Sequence, residues 1–262
     1  MPSPPPPTQL LELARDAAAA AGELLAQGQR GVTVASTKST PTDVVTVMDT
    51  AAEDLLRERL LGARPHDAML GEEGGETVGT SGVRWIVDPL DGTVNYLYGL
   101  PGWGVSVAAE LDGVVVAAAV SVPTWRTVFS ATLGGGARAD SRPLSASTCA
   151  DLALALVATG FSYDAQHRAE QADALPGLLP RVRDIRRFGA AAVDLCSLAA
   201  GQVDAYYERG LAPWDLAAGR LIAEEAGAVV EVRADPRRGP LVLAAGPRLF
   251  AAFATLLDEV DA

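Results

Sequence analysis

The stretch WIVDPLDGT, residues 85–93, organises this chain. Its apolar start, Trp85 to Val87, predicts a buried strand, and two acidic residues, Asp88 and Asp91, follow three residues apart. A desolvated carboxylate needs a partner, and two like charges side by side need a cation between them. Because hard divalent cations prefer oxygen ligands, the pair predicts a metal site.

The residues after this acidic pair predict a second ligand. Gly92 and Thr93 offer backbone N–H groups at the start of a short helix, where anions bind readily. The stretch therefore indicates a metal and a phosphate held together.

The composition limits the classes of partner. With 262 residues, 49% of them hydrophobic, the chain can bury a large core shared by two subdomains. Its net charge of −12 argues against nucleic acid or an anionic membrane as the main partner and suits a site that gathers Mg²⁺. The two cysteines, Cys149 and Cys196, show neither metal spacing nor a disulfide framework, so we expect a reducing, cytoplasmic location.

The order of elements predicts a layered fold. Helical and strand patterns are mixed without a strict βαβ rhythm, which favours an α/β fold with helices layered on sheets and much antiparallel pairing. We predict a disordered Pro-rich tail over residues 1–8, an N-terminal α/β half over 9–142 with the metal and phosphate site, and a C-terminal α/β half over 143–262 with the substrate-selecting residues.

Three further acidic residues fall where strands end or helices begin: Asp49, Glu72 and Asp215. Each has an ordinary alternative, because Asp49 and Asp215 suit helix N-caps and Glu72 suits a solvated loop. Taken together with Asp88 and Asp91, they are less easily dismissed. Two or three Mg²⁺ ions held by such a set can act as Lewis acid, water activator and leaving-group stabiliser.

The sequence resembles the inositol monophosphatase family of Mg²⁺-dependent, lithium-sensitive phosphatases. The matching segments follow the family order, span about residues 9–255 and include GEE at 71–73, WIVDPLDGTVNY at 85–96 and PWDLAAG at 213–219. The long DPLDGTVNY match is highly specific, whereas each of the others alone is weak. The resemblance implies alternating α-β-α-β-α layers, as in inositol monophosphatases and fructose-1,6-bisphosphatases, and a homodimer.

The resemblance also implies roles for individual residues. Two Mg²⁺ ions would share Asp88 as a ligand. The other ligands of the first ion would be Glu72 and the carbonyl of Leu90, and those of the second would be Asp91 and Asp215. Glu72 would also reach a weaker third ion. Asp49 and Thr93 would orient and deprotonate the attacking water, and Gly92 and Thr93 would bind the phosphate through their N–H groups.

Substrate selection is expected in the second half of the chain. Glu208 matches a family position that binds sugar or cyclitol hydroxyls, and Ala191 lies in the matching substrate segment. Ala190 departs from the family's usual Ser or Thr, so one hydroxyl contact to the substrate is missing. Lys38, the only lysine in the chain, matches a family lysine near the metals and could neutralise their carboxylates.

The function predicted from the sequence is Mg²⁺-dependent hydrolysis of an inositol monophosphate, with a small phosphorylated polyol as substrate. One alternative keeps this chemistry and changes the substrate to histidinol phosphate, fructose 1,6-bisphosphate or a nucleotide 3′-phosphate. Another class of alternative is a non-catalytic family member that binds protein or RNA. The five acidic residues and Thr93 are all present, which favours the enzyme.

Overall fold

A computed structural model describes residues 5–260 of the chain. Within that range the helices are α1 (Pro7–Gly28), α2 (Val47–Ala63), α3 (Thr93–Leu97), α4 (Ala165–Asp173), α5 (Leu175–Leu178), α6 (Ala191–Ala199), α7 (Pro213–Glu225) and α8 (Phe250–Glu259). The first strands are β1 (Val34–Thr37), β2 (Val44–Thr46), β3 (Ala68–Gly71), β4 (Gly75–Thr77), β5 (Val83–Asp91), β6 (Gly104–Leu111), β7 (Val114–Val122) and β8 (Thr127–Thr132). The later strands are β9 (Gly136–Ala139), β10 (Arg142–Pro143), β11 (Leu156–Thr159), β12 (Asp184–Arg186), β13 (Ala205–Arg209), β14 (Val229–Arg233) and β15 (Leu241–Ala245).

The strands form two large sheets and one small one. The eight-stranded sheet has the order β10-β9-β8-β7-β6-β5-β3-β4, and the five-stranded sheet has the order β12-β11-β13-β15-β14. Antiparallel pairing dominates the larger sheet, where only β3 and β5 are parallel, and β11 is parallel to both of its neighbours in the smaller sheet. Strands β1 and β2 pair with each other.

Helices and sheets alternate in five layers, as the family resemblance implied. Helices α1 and α2 cover one face of the larger sheet, and α6 and α7 pack between the two sheets. Helices α5 and α8 cover the outer face of the smaller sheet. Four hydrophobic clusters fill the spaces between these layers, so both sheets are buried on both faces.

The central strands carry apolar side chains on both faces because each face meets a helical layer. In β5, Trp85 and Val87 pack towards α1 and α2, whereas Ile86 packs towards α6 and α7. Asp67 supports this strand, since its buried carboxylate accepts a hydrogen bond from Nε1 of Trp85 at 3.0 Å. The end of β5 is therefore rigidly placed between two helical layers.

Several boundaries differ from the sequence predictions. Residues 1–4 of the predicted tail lie outside the described part of the chain, and Pro7 already begins α1, where its missing N–H costs nothing. The apolar run at residues 152–159 predicts a strand, but residues 152–154 form a 3₁₀ turn ahead of β11. Residues 74–82 are expected to be a loop, but they contain β4. The division into halves at residue 143 stays a prediction.

Asp49 and Asp215 are not helix N-caps, because each lies one turn further into its helix. Thr46 is the N-cap of α2, and Asp49 is its third residue, whose Oδ2 accepts from the Thr46 backbone N–H at 2.9 Å. Asp215 is likewise the third residue of α7, which begins at Pro213. In both helices the first turn carries the acid to the end of the larger sheet. Among residues 5–260 no helix is long and apolar enough to cross a membrane.

Candidate active site

A cavity of about 80 Å³ lies where β5 ends. It is lined by Lys38, Asp43, Val44, Glu72, Asp88, Leu90, Asp91, Gly92, Thr93, Tyr163 and Asp215. All the predicted metal ligands, both predicted phosphate-binding residues and Lys38 thus meet in one place. Asp49, Glu208 and Ala191 are not part of this lining, and of the three Asp49 is hydrogen-bonded to a lining residue, Thr93.

A bulge at the end of β5 turns the acidic pair into the cavity. Asp88 pairs with Ser106 and Asp91 with Gly104, so one extra residue separates the two acids on the β5 side. Gly92 then adopts a left-handed backbone with a φ of 89°. A Cβ at this position would lie 3.1 Å from Cβ of Ala190 and 3.2 Å from the Gly102 carbonyl oxygen, so only glycine fits the turn into α3.

Backbone donors fix the three buried acids. Asp88 Oδ1 accepts from the N–H of Leu90 at 2.9 Å, and Asp91 Oδ2 accepts from the N–H of Ala192 at 2.7 Å. Asp215 Oδ2 accepts from the N–H of Ala212 at 2.7 Å. The side chain of Glu72 also hydrogen-bonds with Asp88, so these two carboxyl groups lie in direct contact.

The same three acids are buried and repel one another. Burial, and then repulsion from Glu72, Asp91 and Asp215, raises the pKa of Asp88 well above its usual range. The pKa of Asp91 is also raised well above its usual range by burial and then by Asp215. Burial raises the pKa of Asp215 to about 7, although the N–H of Ala212 opposes the shift. A cation among them would relieve this repulsion.

Lys38 provides the one positive charge that lines the cavity. Its Nζ lies 2.8 Å from Oε1 of Glu72 and 2.5 Å from Oε1 of Glu73. Burial alone would lower the pKa of Lys38, but the charges of both glutamates outweigh it and raise that pKa. Lys38 thus forms a double ion pair with Glu72 and Glu73, and its role at a metal site stays a prediction.

Glu53 shapes the segment that carries Glu72, and the sequence analysis missed it. Its buried carboxylate accepts from the N–H groups of Glu73 and Gly74 at 2.8 Å each, and from Arg57 at 2.9 Å. A Cβ on Gly71 would lie 2.5 Å from the same carboxylate. The available signal was its position four residues after Asp49, on the face of α2 that faces the sheet.

Asp49 and Thr93 form a hydrogen-bonded pair beside the cavity. The Thr93 hydroxyl lies 3.0 Å from Oδ1 of Asp49 and 3.1 Å from the carbonyl oxygen of Leu90, and its single hydrogen can serve one of them at a time. Asp49 is 1% exposed, and burial raises its pKa despite hydrogen bonds from Thr46 and Thr93. Such a carboxylate is a better proton acceptor than an exposed one.

The second half of the chain supplies the other side of the site. Glu208 is half-buried on β13, and its Oε2 accepts from the Tyr206 hydroxyl at 2.7 Å. Burial raises the pKa of Glu208, which the Tyr206 hydroxyl and the Arg187 charge oppose. Ala191 is the first residue of α6, and its methyl group packs in the core between α6 and the smaller sheet. Tyr163 also lines the cavity, although no sequence pattern marked it as a site residue.

The donor set suits Mg²⁺, although no group of three acidic, histidine or cysteine side chains within residues 5–260 forms a ready-made metal cluster. Glu72, Asp88, Asp91, Asp215 and the carbonyl of Leu90 offer the oxygen ligands that Mg²⁺ prefers. Glu72 contacts both Asp88 and Lys38, so it already lies beside the other acids.

Comparison with known proteins agrees with this arrangement. A sequence model of the inositol monophosphatase family matches residues 7–259. The inositol-1-monophosphatase of Mycobacterium leprae is 48% identical over 248 residues, which cover 89% of this chain and 84% of the relative. The Nus factor SuhB of Escherichia coli is 39% identical over 224 residues, which cover 84% of each. The crystal structure of extragenic suppressor protein suhB from Bartonella henselae has a TM-score of 0.89 at 34% identity, and the match covers 95% of this chain and 98% of that one.

Proposed function

The chain belongs to the inositol monophosphatase family and is a phosphatase of that family, and we propose that it hydrolyses an inositol monophosphate to myo-inositol and phosphate with Mg²⁺. The observation that carries this proposal is the meeting of five acidic side chains in one cavity, four of them expected metal ligands, next to the Asp49–Thr93 pair. Buried, mutually repelling carboxylates are concentrated at catalytic sites, which favours a metal-dependent hydrolase over a protein that only binds a partner.

Two or three Mg²⁺ ions, when bound, would supply Lewis-acid polarisation of the phosphate, activation of water and stabilisation of the leaving alcohol. We assign their binding to Glu72, Asp88, the carbonyl of Leu90, Asp91 and Asp215. Backbone hydrogen bonds already orient Asp88, Asp91 and Asp215, so little conformational entropy remains to be lost when a cation binds.

The chain's own proton acceptor for the attacking water is the Asp49–Thr93 pair. In this proposal the Thr93 hydroxyl accepts a proton from water while it donates its own proton to Oδ1 of Asp49. The Oδ2 atom of Asp49 stays hydrogen-bonded to Thr46, which keeps the carboxylate aimed at Thr93. The N–H groups of Gly92 and Thr93 would hold the phosphate in line for attack.

Recognition of the alcohol is assigned to Glu208 and to the segment around Ala191. A carboxylate that already accepts from Tyr206 keeps one oxygen for substrate hydroxyls, which suits a polyol. The methyl group of Ala190 offers no hydroxyl contact there, so the site depends on Glu208 and on backbone groups. This leaves histidinol phosphate, fructose 1,6-bisphosphate and a nucleotide 3′-phosphate as alternative substrates.

A substrate panel tests the proposal. Phosphate release from inositol 1-phosphate and the three alternatives is ranked by kcat/KM with saturating Mg²⁺. Inositol 1-phosphate is expected to rank first, and Glu208→Gln is expected to reduce its advantage over the alternatives. A higher rank for another ester would change the substrate, and absence of turnover with all four would contradict the phosphatase assignment.

The relative named a Nus factor supports a second candidate, in which the protein binds a protein or RNA complex. Pull-down of transcription-complex proteins and RNA with wild type and with Asp88→Asn separates the two functions. Binding that survives the substitution would be independent of catalysis. No binding by either protein would remove this candidate.

We propose further that the protein is a cytoplasmic homodimer, as the resemblance implies. Tyr98 and Leu100, 75% and 51% exposed in the loop after α3, form an apolar surface that a second copy would cover. Light scattering on wild type and Tyr98→Asp tests this: the wild type is expected at the mass of two chains and the variant nearer to one.

A further inference from the structure

We propose that Asn95 is a positioning residue that holds the substrate-facing segment, residues 188–191, against the phosphate side of the active site. The inference rests on the proposed function, because it concerns the alcohol half of the same substrate. Asn95 is the only asparagine in the chain, and it lies in α3 with 7% of its side chain exposed. None of the roles assigned above uses it.

The Asn95 amide joins two segments that are far apart in sequence. Its Nδ2 atom donates to the carbonyl oxygen of Gly102 at 2.8 Å and to the carbonyl oxygen of Phe188 at 2.7 Å. An amide nitrogen carries two hydrogens, so both bonds form at once. The second bond spans 93 residues and fixes the chain just before α6 to the helix that begins at Thr93.

The segment around Gly189 and the segment around Gly92 also lie in close contact beside the Asn95 side chain. Gly189 has a φ of 97°, and a Cβ there would lie 3.2 Å from Nδ2 of Asn95 and 2.5 Å from Nη1 of Arg187. On the other segment, a Cβ on Gly92 would lie 3.3 Å from the carbonyl oxygen of Gly189. Glycine at both positions lets the backbones of the two segments lie in direct contact.

A second hydrogen bond fixes the far end of the same segment. The N–H of Ala192 donates to Oδ2 of Asp91 at 2.7 Å. Ala191 lies between this bond and the Asn95 bond to Phe188. Loss of Asn95 would therefore release one end of the segment while the other end, and with it the acidic cluster, stays in place.

Steady-state kinetics with two esters test this role. In Asn95→Ala, the KM for inositol 1-phosphate is expected to rise about tenfold, since a misplaced positioning group weakens alignment of the alcohol. With p-nitrophenyl phosphate, whose alcohol lacks hydroxyls for the segment to recognise, kcat and KM are expected to stay at wild-type values. A merely structural role would lower activity towards both esters by the same factor.

Gln29→Ala is the matched control, because Gln29 donates a side-chain amide to the carbonyl oxygen of Tyr96 at 3.1 Å from the α1 side of α3. Gln29→Ala should change the kinetics with inositol 1-phosphate and with p-nitrophenyl phosphate by the same factor, if at all. Gly189→Ala is a second test variant, which pushes the same segment from its other side and should repeat the rise in KM for inositol 1-phosphate.

The outcomes are distinguishable. An active wild type combined with equal losses for both esters, or with an unchanged KM for inositol 1-phosphate in both test variants, overturns the role of Asn95. A control that separates the esters as strongly as Asn95→Ala also overturns it. A wild type that hydrolyses p-nitrophenyl phosphate but not inositol 1-phosphate overturns the proposed substrate instead.

Discussion

The hydroxyl of Thr93 lies 3.0 Å from Oδ1 of Asp49, although the two residues are 44 positions apart in the chain. Thr93 begins α3 at the end of β5, and Asp49 lies in the first turn of α2. The pair therefore links the helical layer over the larger sheet to the proposed phosphate-binding N–H groups of Gly92 and Thr93. It also gives the site a buried proton acceptor.

Removal of the Thr93 hydroxyl should slow the chemical step. Thr93→Val keeps the shape of the side chain, and its kcat is expected to fall on the order of 10²- to 10⁴-fold because proton transfer to Asp49 is lost. Thr93→Ser, which retains the hydroxyl, is expected to keep most of the activity. Phosphate-release kinetics measure both variants, and a wild-type kcat in Thr93→Val would exclude the pair as proton acceptor.

Loss of Glu53 should weaken metal binding without touching a ligand. In Glu53→Ala, the N–H groups of Glu73 and Gly74 lose their acceptor, so Glu72 loses its fixed position. The Mg²⁺ concentration for half-maximal activity is expected to rise about tenfold or more. Glu58→Ala, an exposed change on the same helix, is the control and should leave the Mg²⁺ titration unchanged. An unshifted titration in Glu53→Ala would contradict this role.

Replacement of Lys38 should make the melting temperature depend more strongly on bound Mg²⁺. Lys38→Met leaves Glu72 and Glu73 without their cation, so the melting temperature in EDTA is expected to fall. Saturating Mg²⁺ should reduce the difference from wild type, because a bound cation replaces the lost charge. Thermal melts with and without Mg²⁺ measure this, with Lys38→Arg as control. An equal loss under both conditions would show that Lys38 does not serve the acidic site.

Asp194 should destabilise the fold at neutral pH. Its carboxylate is fully buried in α6, and neither oxygen has a hydrogen-bond partner within residues 5–260. Burial, followed by repulsion from Glu208 and Asp91, raises its pKa well above the usual range. The folded state therefore binds a proton that the unfolded state has lost, so stability falls as pH rises above the unfolded pKa of about 3.9.

Asp194→Asn tests this sign. The variant is expected to melt higher than wild type at pH 7, and the gap should shrink towards pH 4, where both states of the wild type carry the proton. Asp173→Asn, an exposed change on α4, is the control and should show no such trend. A gap that grows as the pH falls would contradict a neutral Asp194 in the folded protein.

Local signals indicated the mixed α/β class and the acidic pair after β5, whereas the order of layers and the full ligand set came from the family resemblance. The run Trp85 to Val87 is too apolar for a surface strand. The Asp112-Gly113 pair between two apolar runs predicts a hairpin turn, and it joins β6 and β7. The first turn of α2 was harder, because Val47 and Met48 continue a strand-like pattern and only the Thr46 cap ends it. Propensity alone did not reveal this local capping box between Thr46 and Asp49.

The missed residues act through tertiary contacts. Glu53 resembles any acidic residue of an amphipathic helix until Gly71 and Gly74 pack against it. Asn95 was quoted only as part of a motif, and its partner Phe188 lies 93 residues away. Tyr163 lines the cavity from a loop without a distinctive pattern. Spacing along the chain carries no signal for such pairs, since the fold alone brings them together.

The most direct test is phosphate release from inositol 1-phosphate by EDTA-stripped protein during titration with Mg²⁺, for wild type and Asp88→Asn. The wild type is expected to be inactive without metal and to regain full turnover with Mg²⁺. Asp88→Asn should stay inactive at every concentration while its circular dichroism spectrum matches wild type, because one shared carboxylate ligand is lost. Turnover that ignores EDTA, or an Asp88→Asn protein with wild-type kcat, would contradict a metal-dependent phosphatase built around Asp88.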